Sequence, residues 1–163
     1  MTYTCRPASP EDLARIWQKN IDANPGDDRW LRWRDEYIAI NRTGAAQTFV
    51  VCADGEPVGE GTLLFSPACS AIRGRTALAD GAQTVNLNAL RIEKAHEGRG
   101  QISRLVKLME QTAAARGCTR VTIGVEPCET RNLAIYLHWG YTEFVALEQE
   151  DEGPVLYYAK TIG

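Results

Sequence analysis

Apolar side chains recur every three or four residues in two segments near the start of the chain, which is the spacing of one face of an α-helix. The first helix is predicted to begin at Ser9-Pro10-Glu11-Asp12, where Ser9 caps the helix and Pro10 takes its first position. Its apolar face consists of Leu13, Ile16, Trp17 and Ile21. The turn sequence Asn24-Pro25-Gly26-Asp27 ends it.

A second helix is predicted over roughly residues 28–40, because aromatic and aliphatic side chains again share one helical face. These side chains are Trp30, Trp33, Tyr37 and Ile40. A stripe of this kind is more typical of a helix packed against a core than of a ligand platform. We therefore expect the stripe to be buried.

The rest of the chain alternates between strand-like and helix-like patterns. Strands are predicted over 2–6, 47–53, 57–65, 84–92, 121–125, 141–147 and 155–160, and helices over 102–116 and 130–139. Asp54-Gly55 predicts a hairpin turn, and 66–81 is the longest predicted loop. The order βααβββαβαββ indicates an α/β (α+β) fold with a mixed, mostly antiparallel sheet flanked by helices.

Composition narrows the class of protein. With 163 residues and 44% hydrophobic content, the chain is expected to form a single domain over 1–163. A net charge of −3 gives no electrostatic basis for nucleic-acid binding. No signal peptide or long apolar run is found, so a cytoplasmic protein without membrane contact is expected. The five cysteines form no C-x-x-C, which argues against a metal site or a disulfide framework.

The stretch AHEGRGQIS, residues 95–103, joins a predicted strand to a predicted helix. Glycines at such a junction, here Gly98 and Gly100, let the backbone wrap an anion at the helix N-terminus. The sequence matches neither the P-loop motif nor the dinucleotide-binding motif. The surrounding segment is locally cationic, with Arg91, Lys94, Arg99, Arg104 and Lys107 against Glu93 and Glu97.

Two segments around this junction resemble the GNAT superfamily of acyl-CoA-dependent N-acetyltransferases. The first is NLNALRIEKAHEGRGQISRLVKLMEQTAAARG and the second is VTIGVEPCETRNLAIYLHWGYTEF. They correspond to the strand, phosphate loop and long helix of that family, and to its next strand and its short helix ending in Tyr-x-x-x-Gly. Tyr136, Gly140 and Tyr141 are in register with that ending.

The resemblance implies acetyl-CoA as co-substrate and no metal. In the family, backbone groups of the strand before the loop bind pantetheine and polarise the thioester carbonyl; by register these belong to Leu90, Arg91 and Ile92. Backbone N–H groups of the loop would hold the pyrophosphate. The loop residues are Gly98, Arg99, Gly100, Gln101, Ile102 and Ser103. Arg99 and Arg104 could add charge near the nucleotide, and Asn132 could supply a side-chain amide to pantetheine.

The resemblance also implies a role for Tyr136, which would act as the general acid that protonates the departing thiolate. The base is open between Glu126 and Glu93, each at the end of a predicted strand. Three positions depart from the family pattern. Glu97 replaces the usual Arg or Gln, Ile102 replaces the usual Gly or Ala, and Glu129 stands where an Asn is frequent.

The acceptor is expected to be a primary amine, whose identity the sequence leaves open. Acidic residues between Asp22 and Glu36 and in the segment from Glu148 to Glu152 could attract a cationic amine. The alternative is a non-catalytic acyl-CoA-binding or interaction module of the same fold. Many relatives dimerise, so a homodimer is compatible with the resemblance.

Overall fold

The computed structural model describes all residues from Met1 to Gly163. Its elements follow the order βααβββαβαββ, so the predicted fold class and element order are confirmed. The strands are β1 (Tyr3–Pro7), β2 (Ala46–Ala53), β3 (Glu56–Leu64), β4 (Thr84–Ile92), β5 (Arg120–Val125), β6 (Glu143–Glu150) and β7 (Gly153–Thr161). The helices are α1 (Pro10–Ala23), α2 (Arg29–Thr43), α3 (Gln101–Ala115) and α4 (Thr130–His138).

The seven strands form one sheet in the order β1-β2-β3-β4-β5-β7-β6. The pairs β1/β2, β5/β7 and β6/β7 are antiparallel, whereas β4 and β5 are parallel because α3 connects them as a crossover. The chain divides into two compact units. The first comprises Met1–Leu63 and Ala89–Met109, and the second Leu64–Asn88 and Glu110–Gly163. The single domain remains a prediction.

In the first unit, α1 begins as the sequence predicts. Ser9 Oγ accepts a hydrogen bond from the Asp12 backbone N–H at 3.1 Å, and the Asp12 carboxylate accepts one from the Ser9 backbone N–H at 2.8 Å. Arg6 on β1 forms an ion pair with the same buried carboxylate. This capping box therefore also connects α1 to β1.

The aromatic stripe of α2 is only partly buried, so the expectation of a core stripe is wrong for three of its four members, Trp30, Trp33 and Ile40. Tyr37 is buried, but Trp30 and Trp33 are half-exposed. Their rings contact each other edge to face, with centroids 5.0 Å apart. An arginine guanidinium also lies over each ring. Arg91 lies 5.1 Å from the Trp30 ring and Arg29 lies 5.4 Å from the Trp33 ring. Each of the two half-exposed rings therefore has a cation–π contact.

In the second unit, ion pairs join the segment between β3 and β4 to the hairpin of β6 and β7. Arg75 lies 2.9 Å from the Glu150 carboxylate, and Arg73 lies 3.3 Å from it. The hydroxyl of Tyr157 donates a hydrogen bond to Glu150 at 2.7 Å. The acidic hairpin is therefore partly neutralised by its own unit, which weakens the expectation that it attracts a cationic acceptor.

The capping box leads to a pH-dependent prediction. Burial raises the pKa of the Asp12 carboxyl, but hydrogen bonds from Arg6 and Ser9 outweigh burial and leave that pKa lowered. A lowered pKa stabilises the fold above the ordinary carboxyl pKa of about 4, and this stabilisation is lost as the pH falls through the folded-state value. Asp12→Asn should lower the free energy of unfolding by about 1–2 kcal/mol near neutral pH and by less in acid.

Urea unfolding of both proteins at several pH values measures this difference. Asp35→Asn is the control, because Asp35 is exposed and pairs only with the neighbouring Arg34; its effect should stay within about 0.5 kcal/mol. A destabilisation by Asp12→Asn that does not change with pH would contradict the assignment.

Candidate functional site

The site begins where β4 loses its regular conformation. The parallel register of β4 with β5 runs from Thr84 opposite Arg120 to Leu87 opposite Ile123. Ala89 then adopts a φ of 54°, which is the left-handed region and is unusual for a residue with a Cβ in a strand. Such conformations cost about 1–3 kcal/mol and concentrate at functional sites. The residues after it, Leu90 to Ile92, are half-buried.

A short turn and a glycine loop follow β4. Lys94–His96 forms one turn of 3₁₀-helix, and α3 starts at Gln101. Gly98 and Gly100 have φ values of 72° and 75°, and a Cβ at either position would meet no atom within 4 Å. The glycines are therefore needed for their backbone conformation and not for close packing.

The loop presents a row of backbone donors. The N–H groups of six consecutive residues have no acceptor in the protein: Gly98, Arg99, Gly100, Gln101, Ile102 and Ser103. The last three open α3, where the partial positive charge of the helix end is greatest. Such a row is suited to an anion with several oxygen atoms, such as a pyrophosphate.

Side chains of the first unit hold the loop in place. The Gln101 side chain is buried, donates to the carbonyl of Arg99 at 3.3 Å and accepts from Arg104 at 3.1 Å. The Tyr3 hydroxyl lies 2.8 Å from Nδ1 of His96, so β1 supports the turn before the loop. The role of Tyr3 and His96 could not be read from the sequence, because the two residues are far apart along the chain.

The charges around the loop are mostly free. Lys94, Arg99 and Lys107 are exposed and form no ion pair. Glu97 is exposed as well, and it does not pair with Arg99, so one carboxylate remains beside the donor row. Ile102 is half-buried. Cations therefore outnumber acids around the donor row, which favours an anionic ligand.

The second unit holds the predicted acid. Tyr136 lies half-buried on α4, and the centroid of its ring is 5.7 Å from that of Trp139. Burial of the hydroxyl, and secondarily the charge of Glu129, raises the pKa of Tyr136 to about 12. This hydroxyl has no hydrogen-bond partner in the protein. The phenol is therefore protonated at neutral pH, and its proton is available to a ligand.

The other predicted site residues differ in their surroundings. Glu93 is in the first unit and lies 3.0 Å from the Lys19 ammonium. In the second unit, Glu126 receives only a weak hydrogen bond from the Cys128 thiol at 3.7 Å. The Asn132 amide donates to Glu129 at 2.8 Å, so one of its donors is already engaged. Of the two candidate bases, Glu126 is the one without a cation on its carboxylate.

Comparison with known proteins gives the family. A family model described as the acetyltransferase (GNAT) family matches residues 11–141. The chain belongs to this family. The match spans most of the chain and includes the glycine loop and α4, so the predicted membership and the assignment as a GNAT acyltransferase are confirmed. No curated protein matches the chain.

Solved structures share the fold at low sequence identity. An N-acetyltransferase from Staphylococcus aureus is 15% identical with a TM-score of 0.72, and each chain covers 100% of the other. The Salmonella typhimurium protein yncA, in a structure with its cofactor acetyl-CoA, is 16% identical with a TM-score of 0.73 over 100% of this chain and 95% of that one. Aminoglycoside acetyltransferase AAC(6')-Ib, in complex with coenzyme A and kanamycin, is 16% identical with a TM-score of 0.73 over 98% and 95%.

No group of three or more His, Cys, Asp or Glu side chains is arranged to hold a metal ion. None of the helices has both the length and the apolar character needed to span a membrane.

The donor row can be tested at one glycine of the GNAT loop. Gly100→Ala forces a Cβ into a left-handed backbone, which costs about 1–2 kcal/mol or shifts the loop out of its conformation. We expect the affinity for coenzyme A, measured by calorimetry, to fall by about tenfold. Gly74→Ala is the matched control, since Gly74 has a φ of 74° and equally open surroundings in a different loop. Equal losses of affinity in the two variants would show that the loop conformation does not matter.

Proposed function

We propose that the chain is an N-acetyltransferase that moves the acetyl group of acetyl-CoA directly to a primary amine. The observation that carries the proposal is the row of six unpaired backbone N–H groups from Gly98 to Ser103, set between β4 and α3. Family membership supports the same co-substrate. The structures of yncA with acetyl-CoA and of AAC(6')-Ib with coenzyme A belong to proteins of this fold.

Acetyl-CoA supplies an activated acyl group as a thioester, and this chain supplies its binding. The pyrophosphate is assigned to the donor row, with Arg99 and Lys94 free to approach the nucleotide. Backbone groups of Leu90, Arg91 and Ile92 are assigned to the pantetheine arm and the thioester carbonyl. A preorganised donor facing the developing oxyanion typically contributes a few kcal/mol to the rate.

The transfer step needs one proton removed and one proton supplied. The amine nitrogen attacks the thioester carbonyl carbon, the new C–N bond forms, and the C–S bond breaks. Tyr136 donates its phenolic proton to the leaving sulfur, since its hydroxyl is protonated at neutral pH and has no hydrogen-bond partner in the protein. The products are an amide and the free thiol of coenzyme A.

The amine must reach the thioester in its neutral form, and a carboxylate acts as base directly or through water. We assign this role to Glu126, whose carboxylate has only the Cys128 thiol as a hydrogen-bond partner. Glu93 is the less favourable candidate, because Lys19 already neutralises it. Replacing each with Gln separates them: only the variant of the true base loses turnover at constant affinity for acetyl-CoA.

Glu97 favours a second candidate function, a module that binds acyl-CoA without transferring its acyl group. A carboxylate with no ion pair beside the donor row lowers the affinity for a pyrophosphate. Calorimetry with acetyl-CoA, followed by measurement of thiol release over a panel of amines, distinguishes the two functions. We expect binding, and thiol release that depends on the amine. Binding without release would support the module, and no binding would contradict both functions.

The acid assignment predicts a specific kinetic change. Tyr136→Phe removes the proton donor and keeps the ring, so kcat should fall by about 10²-fold or more while the affinity for acetyl-CoA changes little. Tyr158→Phe is the control, because Tyr158 lies on β7 and packs its ring against Phe144. Steady-state assays of thiol release measure kcat, and calorimetry measures the affinity for acetyl-CoA. An unchanged kcat in Tyr136→Phe would remove Tyr136 from the mechanism.

A further inference from the structure

A buried charge cluster lies in the first unit, beside the strand assigned to the thioester. Its centre is Glu60 on β3, which is 1% exposed. The Glu60 carboxylate accepts a hydrogen bond from the Asn20 amide at 2.8 Å. It also accepts longer hydrogen bonds from Nε and Nη2 of Arg91, at 3.3 and 3.4 Å. We call Glu60, Asn20, Arg91, Trp17 and Trp30 the Arg91 cluster.

Aromatic rings fix the position of the guanidinium. The centre of the Arg91 guanidinium lies 5.4 Å from the Trp17 ring and 5.1 Å from the Trp30 ring. Glu60 engages one edge of the same group. An arginine held on two rings and one carboxylate loses little side-chain entropy when it binds a further group.

The Arg91 cluster has donors left over and no accessible acceptor. Nη1 of Arg91 has no hydrogen-bond partner, and the Arg91 side chain is 34% exposed. The indole N–H of Trp17 has no acceptor either, but Trp17 is 1% exposed, so this donor is not accessible to a ligand. The Glu60 carboxylate is out of reach of a ligand, so a cationic group could not bind it. The partly exposed Arg91 therefore offers the N–H groups of Nη1 as hydrogen-bond donors, while its charge is balanced by the buried Glu60.

We propose that Arg91 binds a carboxylate of the acceptor, and that the acceptors of this enzyme are amino-carboxylates such as amino acids. The inference rests on the proposed function, because it places the acceptor beside the strand whose backbone is assigned to the thioester. In that arrangement the backbone of Arg91 contacts acetyl-CoA and its side chain contacts the acceptor. An Arg–carboxylate contact is charge-assisted and directional, so it distinguishes an amino acid from the amine that lacks the carboxyl group.

This substrate class differs from that named for one structural neighbour. The structure of AAC(6')-Ib is a complex with kanamycin, an aminoglycoside. A polycationic amine would find no acceptor in the Arg91 cluster, since the Glu60 carboxylate is buried and already paired. The half-exposed Trp30 and Trp33 offer an apolar surface next to Arg91, which suits an acceptor with an apolar side chain.

Matched amine pairs provide the test. L-phenylalanine is compared with 2-phenylethylamine, L-lysine with cadaverine, and kanamycin represents the polycations. With acetyl-CoA saturating, the wild-type protein should show a kcat/KM at least about tenfold higher for each amino acid than for its decarboxylated partner, as expected for one charge-assisted hydrogen bond. Equal or reversed preference, or preference for kanamycin, would overturn the inference and leave acetyl transfer itself standing.

Variants separate the carboxylate contact from a structural role. Arg91→Gln alone would leave the Glu60 charge buried without its cation, so the variant to use is the double change Arg91→Gln with Glu60→Gln. We expect the ratio of kcat/KM between each amino acid and its decarboxylated partner to fall to about one, through a higher KM for the amino acid. Arg29→Gln is the matched control, because Arg29 also stacks on a tryptophan and pairs with a carboxylate. A preference that survives the double change would overturn the role of Arg91.

A binding measurement keeps the inference testable without turnover. L-phenylalanine is titrated by calorimetry into wild-type protein saturated with coenzyme A, and then into the double variant after its fold is checked by urea unfolding. If the wild-type protein binds L-phenylalanine and the double variant does not, the Arg91 site is supported. This holds even if no amine releases thiol, and in that case only the proposed transfer fails. No binding to the wild-type protein would contradict the site, whatever the outcome of the transfer assay.

Discussion

The unpaired backbone donors between Gly98 and Ser103 are the constraint on which the rest of the site depends. A chain segment normally pairs its N–H groups with its own carbonyls, but here the left-handed glycines and the first turn of α3 together leave six in a row unpaired. The conformation persists because neighbouring parts of the first unit fix both ends of the segment. Before the glycines, His96 is held by Tyr3. After them, the buried side chain of Gln101, the first residue of α3, donates a hydrogen bond to the carbonyl of Arg99. A bound anion would complete the missing hydrogen bonds.

Much of the fold could be predicted because local signals agree with one another. Ser9 caps α1 as its position before Pro10 predicts, and Asp54 and Gly55 adopt the positive φ values that a tight hairpin turn requires. Strand β4 has the predicted bounds. The backbone conformation of the glycine loop was also readable, since Gly98 and Gly100 stand at a strand-to-helix junction and both have a positive φ. In each case the residues that decide the structure are neighbours in sequence.

The remainder depends on contacts between distant residues, which a single sequence does not reveal. The apolar spacing of α2 predicts a buried stripe, but only the tertiary structure shows that arginines lie on Trp30 and Trp33. Glu60 looks like an exposed position in a strand, yet it is buried because Asn20 and Arg91 satisfy its oxygen atoms. The choice between Glu93 and Glu126 likewise depended on finding Lys19 beside one of them.

Ala89 has a consequence for engineering this protein. Its left-handed backbone is a local source of instability within an otherwise regular strand. Selection for thermal stability alone would favour a sequence that removes this distortion and lets the strand pair along its length. The same change would occupy the backbone groups assigned to the thioester. In residues 88–92, a change that raises thermostability would therefore lower catalytic activity. A variant stabilised in this segment would be a less suitable starting point for altering the enzyme's substrate range.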